Sequence, residues 1–173
     1  MQAPDCFRQQ LLVAVLRLRR YARWLTFDTG TADDLVKTAL ERALSHWHQF
    51  DQRRDMLVWL LSIAHNTFLD QRRRDSRLSI VDPAAADAHR ADPGNDVGLR
   101  IDLMAALARL PLEQREPLLL VSVEQLSYAE CAEALGIPIG TVMSRVSRAR
   151  AALRELLDGR NRPNSVRTQR RVI

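Results

Sequence analysis

The sequence is poor in the residues on which disulfide frameworks and membrane spans depend. It has only two cysteines, Cys6 and Cys131, and they lie far apart in the chain. Two distant thiols do not make a disulfide framework, so we expect a reducing, cytoplasmic setting. No apolar run approaches the roughly 20 residues that cross a bilayer. The short run LLVAVL precedes its basic cluster, which is the reverse of the order in a secretory signal peptide.

Motifs for catalysis and for cofactor binding are also missing from the sequence. It contains no Gly-rich phosphate loop, no nucleophile elbow and no HExxH pattern. His46 and His48 are two residues apart, a spacing that puts them on different faces of a helix. The acidic pair Asp33 and Asp34 is explained by helix capping. We therefore predict a protein that is not an enzyme and that binds neither a cofactor nor a metal.

Charge is distributed unevenly along the chain. The net charge is +5, and residues 159–173 alone carry five arginines and no acid. The remainder of the chain is therefore balanced, with 21 basic and 21 acidic residues. A local excess of positive charge on a neutral body is typical of a protein that contacts nucleic acid in one place and protein surfaces elsewhere. A solvated, disordered end explains the basic tail equally well, and both interpretations stay open.

Helical periodicity dominates the sequence, and no strand-like alternation persists, so an all-α fold is predicted. In the first block, Thr31 and Asp34 have the form of a capping box, and Asp55 is placed to cap a later helix. The three helices of this block are predicted over residues 6–27, 31–48 and 56–74. Three tryptophans at helical spacing are predicted to be core residues rather than base-stacking platforms: Trp24, Trp47 and Trp59.

A change of composition separates this block from a second one. Residues 75–98 are rich in Ala, Asp, Pro and Gly and indicate a linker. Fully extended, this segment reaches roughly 80 Å at about 3.3 Å per residue. Pro117 removes an intrahelical hydrogen bond, so we expect a late helix start or a kink there. Four helices are predicted in the second block, over residues 99–109, 112–124, 128–135 and 139–157.

The last two predicted helices form a helix-turn-helix. Ser127 and Glu130 make a capping box at the start of the first helix. Gly136 can adopt the left-handed conformation that ends it, and Pro138 suits the start of the next. A short helix, a tight glycine turn and a second helix constitute the motif.

The second helix of this motif has an apolar and a basic face. Four residues cluster on the apolar face and are predicted to pack inward: Val142, Val146, Ala149 and Leu153. Hydroxyl and guanidinium groups point the opposite way, where they can bond base edges in a major groove while flanking arginines bond phosphates. An amphipathic helix with a solvated arginine face is the alternative interpretation.

Two segments resemble extracytoplasmic-function (ECF) sigma factors of the sigma-70 family. GIPIGTVMSRVSRARAAL is similar to the helix that reads the promoter −35 element, and LPLEQREPLLL to the start of that domain. RRYARWLTFDTGTADDLVKTALERAL and WLLSIAHNTFLDQRRR are similar to the domain that binds the polymerase clamp and melts the −10 element. The resemblance implies two small helical domains, a three-helix region-2 domain and a helix-turn-helix region-4 domain. It places the region-2 domain over residues 1–74 and the region-4 domain over residues 101–158. A flexible linker over 75–100 joins them, and a basic disordered tail follows over 159–173.

The resemblance also implies three sets of contact residues. The −35 set is Thr141, Met143, Ser144, Arg145, Ser147, Arg148 and Arg150. The −10 set is Gln49, Phe50, Asp51, Gln52, Arg53, Arg54, Asn66, Arg72, Arg73 and Arg74. The core-polymerase set is Asp34, Leu35, Val36 and Lys37. The sequence departs from the family at Lys37-Thr38, where a Gln-Glu pair is common, and at Met143, where Lys or Arg is frequent.

The resemblance implies a cytoplasmic protein that recruits bacterial core RNA polymerase to promoter DNA and helps to open the −10 duplex. It implies an anti-sigma factor as a further partner. Two other classes stay open at this point: a sigma-like interaction module that sequesters a regulator, and an ordinary helix-turn-helix repressor. The basic face of the last helix argues against the interaction module, because a mimic does not need base-reading residues.

Overall fold

A computed structural model describes residues 3–79 and 99–160. Within these ranges the chain is helical and contains no strand, which confirms the predicted all-α class. The interior of the predicted linker and the basic tail lie outside the described residues. The helices are α1 (Asp5–Thr26), α2 (Thr29–Ser45), α3 (Met56–Ser79), α4 (Leu99–Arg109), α5 (Leu112–Ser122), α6 (Tyr128–Leu135) and α7 (Ile139–Arg160), with a 3-10 turn at Trp47–Gln49.

The first block is a three-helix bundle of α1, α2 and α3. The Asp28 carboxylate caps α2 by accepting the Thr31 N–H at 2.7 Å. The predicted Thr31 capping box is therefore wrong: Asp28 supplies the acceptor, so α2 begins at Thr29. Asp55 caps α3 as predicted, and its carboxylate accepts the Leu57 N–H at 2.8 Å. All three tryptophans pack against the core, as predicted: Trp24, Trp47 and Trp59.

The second block contains the predicted helix-turn-helix in α6 and α7. Both hydrogen bonds of the capping box are present, with Ser127 N–H donating to Glu130 at 2.7 Å and Glu130 N–H donating to Ser127 Oγ at 3.1 Å. Gly136 ends α6 with φ 63°, in the left-handed region that a side chain would strain. Pro117 lies inside α5 and is buried, so the late start predicted there is wrong.

The two blocks pack against each other through α3 against α6 and α1 against α5. The sequence did not predict this contact, which we call the inter-block interface. Two buried glutamates, Glu116 and Glu124, lie in it. The predicted division into two independent domains stays a prediction, since the structure presents the blocks in contact.

Candidate nucleic-acid interface

Helix α7 is anchored by its apolar face and presents its polar face to solvent. Val142, Val146 and Ala149 are all buried, so the helix cannot rotate without exposing them. The exposed residues opposite include five of the seven predicted −35 contacts: Met143, Ser144, Ser147, Arg148 and Arg150. The geometry therefore agrees with the predicted reading face.

The other two members of the −35 set are partly engaged within the protein. Arg145 Nη2 lies 3.8 Å from the Glu113 carboxylate on α5. The Thr141 carbonyl accepts a hydrogen bond from Ser144 Oγ at 3.0 Å. Since Glu113 is mostly exposed, its ion pair with Arg145 is screened by water and worth little. Arg145 can therefore exchange this carboxylate for a phosphate at small cost.

The predicted −10 loop is short and held by its own backbone. Asp51 Oδ1 accepts the Arg53 N–H at 3.0 Å, and the Asp51 carbonyl accepts the Arg54 N–H at 2.9 Å. Both arginine side chains are exposed, and Arg54 Nε lies 3.3 Å from Glu133 on α6. The loop is therefore a pre-formed turn that offers guanidinium groups to solvent.

Phe50 packs against aromatic residues of α1 and α3. Its ring centroid lies 5.1 Å from that of Trp59 and 5.7 Å from that of Phe7. These contacts in a partly buried cluster anchor the loop to α1 and α3. Phe50 therefore has a packing role in the structure, and its DNA contact stays a prediction.

A cavity opens between α3 and the end of α2 with the 3-10 turn that follows it. Its volume is about 180 Å³, well below the roughly 300–1,000 Å³ of pockets for drug-sized ligands. Such a volume suits one planar ring system. Two of the lining residues, Gln49 and Asn66, belong to the predicted −10 set. The lining residues are Arg42, His46, Gln49, Trp59, Ile63 and Asn66.

The cavity contains residues that the sequence did not single out for DNA. Arg42 Nη1 lies 3.3 Å from Asp70 on α3, and this ion pair positions the guanidinium at the cavity wall. The His46 Nδ1–H donates to the Arg42 carbonyl at 2.9 Å. In the sequence, both residues are polar side chains near the end of an amphipathic helix. Such side chains normally face solvent, so nothing in the sequence marked them as DNA contacts.

The rest of the −10 set lies further along α3. Arg72, Arg73 and Arg74 are exposed. The Arg72 guanidinium also lies 6.0 Å from the centre of the Phe68 ring, which limits its freedom. Three adjacent arginines on one turn cannot all face the same surface, so they fan around the helix.

The predicted core-polymerase set needs a correction. Leu35 is 0% exposed and Val36 is 4% exposed, because both lie on the face of α2 that packs in the three-helix core. Buried side chains of this kind cannot contact a partner directly. Asp34 and Lys37 are exposed, and the same face continues through Glu41 and Leu44, which is 44% exposed. This exposed face of α2 is the surface that a partner can reach.

Glu124 is a prominent polar residue of the inter-block interface. Its side chain is fully buried and accepts from Arg17 Nε at 3.2 Å and from Arg20 Nη2 at 2.9 Å. The Glu124 hydrogen bonds raise the pKa of Arg20. Because a buried carboxylate without a partner is costly, the two arginines of α1 are what allow Glu124 to be buried.

Glu116 forms a second polar cluster in this interface. Tyr21 donates its hydroxyl hydrogen to Glu116, and His65 Nδ1 lies 2.7 Å from the same carboxylate. Burial, followed by the adjacent Glu116 charge, raises the pKa of Tyr21 well above its ordinary value, so its hydroxyl stays protonated and able to donate. Nearby, Arg115 donates to the Leu25 carbonyl at 3.3 Å. Glu116 follows the polar run EQR and Glu124 precedes Gln125, so the sequence gives no signal that either side chain is buried.

The two cysteines should differ strongly in reactivity. Burial raises the pKa of Cys131 to about 12, whereas Cys6 is exposed. Raising a thiol pKa lowers the thiolate fraction at pH 8, so Cys131 should alkylate at least about 100-fold more slowly than Cys6. Mass spectrometry of the native protein after timed iodoacetamide treatment checks this, with alkylation in denaturant as the control. Comparable native rates at both thiols would contradict the burial of Cys131.

Other classes of site have no support in the part of the chain that the structure describes. None of the helices in residues 3–79 and 99–160 is long and apolar enough to cross a membrane. Over the same ranges, no three His, Cys, Asp or Glu side chains are grouped so that they could hold a metal ion.

The fold and the basic face of α7 define a helix-turn-helix DNA-binding protein with a second helical block. A family model for sigma-70 region 4 matches residues 100–153, and one for the sigma2 domain of PhyR matches residues 13–65. The chain is 37% identical over 159 residues to the ECF RNA polymerase sigma factor EcfG of Rhodopseudomonas palustris, covering 91% of this chain and 88% of that protein. It is 35% identical over 137 residues to SigC of Mycobacterium tuberculosis, covering 78% and 74%. The chain belongs to the ECF sigma factors of the sigma-70 family, as its resemblance predicted.

A solved structure agrees with this membership over both blocks. The sigma factor RpoE of Bartonella quintana, in a co-crystal with the anti-sigma factor NepR, superposes with a TM-score of 0.81 at 32% identity. The superposition covers 90% of this chain and 98% of RpoE. CnrH, in complex with the cytosolic domain of CnrY, is also similar, with a TM-score of 0.66 at 27% identity. The predicted function as an RNA polymerase sigma factor is confirmed at this level.

Proposed function

We propose that this sigma factor reads a −35 element with the outer face of α7. The observation that carries this assignment is the row of exposed Ser144, Ser147 and Arg148 on a helix fixed by a buried opposite face. A rigid helix holds its side chains in one register, which base reading in the major groove requires. Arg145 and Arg150 flank this row and supply phosphate contacts.

The −10 element is recognised at the cavity beside α3. A base that leaves the stack needs a pocket that offsets an unstacking cost of a few kcal/mol. The amides of Gln49 and Asn66 bond its edge, and the Ile63 side chain contacts its face. Arg53, with Arg72, Arg73 and Arg74, supplies positive charge for the neighbouring backbone.

Core RNA polymerase binds the exposed face of α2. This face combines charged residues with the half-exposed Leu44, a composition common at the edge of protein interfaces. The polymerase performs the chemistry, and the sigma factor contributes recognition and strand opening in the cytoplasm. By analogy with RpoE and its NepR complex, a protein of the anti-sigma class binds and inhibits this chain.

A second candidate function is that of a sigma-like module that captures an anti-sigma protein. The match of residues 13–65 to the sigma2 domain of PhyR favours it. The similarity to the PhyR–NepR complex of Sphingomonas sp. Fr1 is at 24% identity and concerns the fold alone. The exposed arginines of α7 favour the sigma factor. A module that only captures a regulator does not need arginines in this arrangement.

Transcription in vitro separates the candidates. Purified core polymerase with this chain should initiate at mapped start sites that core alone does not use. The promoters can be selected from genomic fragments, and the start sites then define the −35 and −10 elements. A chain that binds core or a regulator but never gives a new start site would contradict the proposed function, and repression of existing starts would indicate a repressor.

Leu44→Asp should weaken core binding without unfolding the protein. The substitution places a charge on an exposed face, so its cost appears only when that face is desolvated by a partner. Val36→Asp instead buries a charge in the three-helix core and should lower the melting temperature by many degrees. Thermal unfolding and a pull-down with core polymerase distinguish the two variants. Normal core binding by a folded Leu44→Asp protein would contradict the proposal that core polymerase binds the exposed face of α2.

A further inference from the structure

We propose that Ile139 and Met143, at the start of α7, form an apolar patch that contacts the 5-methyl group of a thymine in the −35 element. This inference rests on the proposed function, because it names a chemical group that the outer face of α7 recognises. The two side chains are called the apolar patch below.

The apolar patch is exposed although both of its side chains are large. The exposed fraction is 49% for Ile139 and 52% for Met143. Neither side chain belongs to the hydrophobic core of the described residues or to the partly buried residues that pack against that core. Because the two residues are four positions apart on one helix, their side chains lie on the same face, one turn apart. Val142 and Val146 are buried beside them, so the patch has a fixed position on the protein.

The charge around the apolar patch indicates what kind of partner covers it. Single exposed apolar residues are common on protein surfaces, so exposure alone decides nothing. From Ile139 to Arg154, however, α7 carries four arginines and no acidic residue. An apolar protein surface would bury these cations without partners, which is costly. DNA offers a phosphate for each cation, and it therefore fits the surroundings of the patch.

The major groove of DNA offers one apolar group to such a patch. Base edges in this groove consist of hydrogen-bond donors and acceptors, except for the 5-methyl group of thymine. In a helix-turn-helix, the N-terminal residues of the second helix are the ones that contact base edges. Ile139 and Met143 lie in the first two turns of α7. A thymine methyl is therefore the group that the apolar patch is placed to contact.

Gly140 leaves room for DNA to approach the apolar patch. This glycine is exposed, and a Cβ added to it would meet no protein atom within 4 Å. A residue without a side chain allows close approach of a ligand to the backbone. The backbone of α7 can therefore come near the groove at the point where the patch begins.

Ser144, next to the apolar patch, supplies a complementary polar contact. Its hydroxyl donates to the Thr141 carbonyl at 3.0 Å, so its oxygen stays available as an acceptor. In the major groove, an A·T pair presents an amino group on adenine and a methyl group on thymine. An acceptor beside an apolar patch matches both groups. The start of α7 is therefore suited to an A·T pair, and the methyl contact distinguishes it from a G·C pair.

The two side chains of the patch have different mechanical properties. Met143 is unbranched and flexible, so it can adjust to the position of a methyl group. Ile139 is β-branched and stiff, and it covers the neighbouring surface one turn earlier. We therefore expect Met143 to make the main contact and Ile139 to exclude water from its edge.

The test removes the methyl group and keeps every hydrogen-bonding group of the base. Holoenzyme is assembled from core polymerase and the full chain. Its affinity is measured for promoter fragments in which each thymine of the mapped −35 element, on either strand, is replaced singly by deoxyuridine. We expect one replacement to weaken wild-type binding by about fourfold, the factor that corresponds to one methyl group removed from an apolar contact.

Substitutions at Met143 connect this effect to the apolar patch. Met143→Ala should be insensitive to the deoxyuridine replacement, whereas Met143→Leu keeps a large apolar side chain and should stay sensitive. Leu16→Ala is the matched control, since Leu16 is 73% exposed on α1 and lies outside the proposed DNA contacts. It should show the full wild-type effect. Circular dichroism verifies that each variant is folded.

A second arm restores the methyl group on another base. Exchange of the sensitive A·T pair for a G·C pair, with cytosine in place of thymine, should weaken binding. Carrying 5-methylcytosine at that position should recover about fourfold of the loss, because the same methyl group returns to the same place. Met143→Ala should show no recovery.

Equal affinity for thymine and deoxyuridine at every position would overturn the proposal. A deoxyuridine effect of the wild-type size in Met143→Ala would assign the methyl contact to another side chain and would overturn it as well. Both results leave −35 reading intact, provided that the holoenzyme still prefers the mapped −35 element to a scrambled one. A wild-type holoenzyme without that preference would contradict the proposed −35 function itself, together with this inference.

Discussion

Arg148→Ala should weaken binding to −35 DNA by about 1–3 kcal/mol and relax the preference at one base position, because a bidentate contact to a base is worth that much. Arg148 is exposed on α7, on the side opposite the buried Val142 and Val146. The anchored helix cannot rotate to bring another side chain to the same base. Affinity measured against a set of single-base variants of the −35 element checks both parts of the expectation.

Arg150→Ala is the matched variant, an exposed arginine on the flank of the same helix. A phosphate contact carries no sequence information, so this change should weaken all sites alike and reduce the salt dependence of binding by about one phosphate. Losses of equal size for the two variants, with no change in base preference, would remove Arg148 from the reading face.

The orientation of α7 was predictable because its determinants are local. Helical periodicity from Val142 to Leu153 fixes which side packs inward, and the opposite side follows from geometry. The Ser127 capping box and the Gly136 turn are equally local, since each depends on residues within one turn of the chain. The buried side of α7, the capping box and the glycine turn were all predicted correctly, whereas the use of the exposed side for base reading stays a prediction.

The start of α2 was not predicted correctly, although the signal is also local. Asp28 and Thr31 are both residue types that cap helices well, and they lie three residues apart. The carboxylate of Asp28 accepts hydrogen bonds from both the N–H and the hydroxyl of Thr31, so Asp28 is the residue that caps α2. Sequence pattern alone does not rank two candidate caps that are three residues apart.

The inter-block interface escaped prediction because its partners are distant in the chain, from 51 residues for His65 and Glu116 to 107 for Arg17 and Glu124. Nothing in the sequence indicates that Glu116 and Glu124 are buried, and a single sequence does not pair them with Tyr21 or Arg20. The error for Leu35 and Val36 has a related cause. The family resemblance assigns a segment to a partner, but only the packed structure distinguishes the buried side of that segment from its exposed side.

The double substitution Gln49→Ala/Asn66→Ala should slow open-complex formation while leaving −35 binding and core binding near normal. Both side chains are exposed, so the fold should tolerate their loss. Both line the cavity beside α3, and in the proposed −10 site they supply the amide donors and acceptors for a captured base. Losing one or two net hydrogen bonds of about 1 kcal/mol each should reduce opening by roughly 5- to 30-fold.

Permanganate reactivity of thymines in the −10 region measures opening directly, and Gln9→Ala is a control at an exposed amide on α1. A promoter with a premelted −10 bubble should rescue only part of the defect, because the bubble removes the cost of unpairing but does not restore the lost base contacts. Complete rescue would place these residues in strand separation rather than in base capture. Opening of duplex promoters at the wild-type rate would show that the cavity does not hold the −10 base.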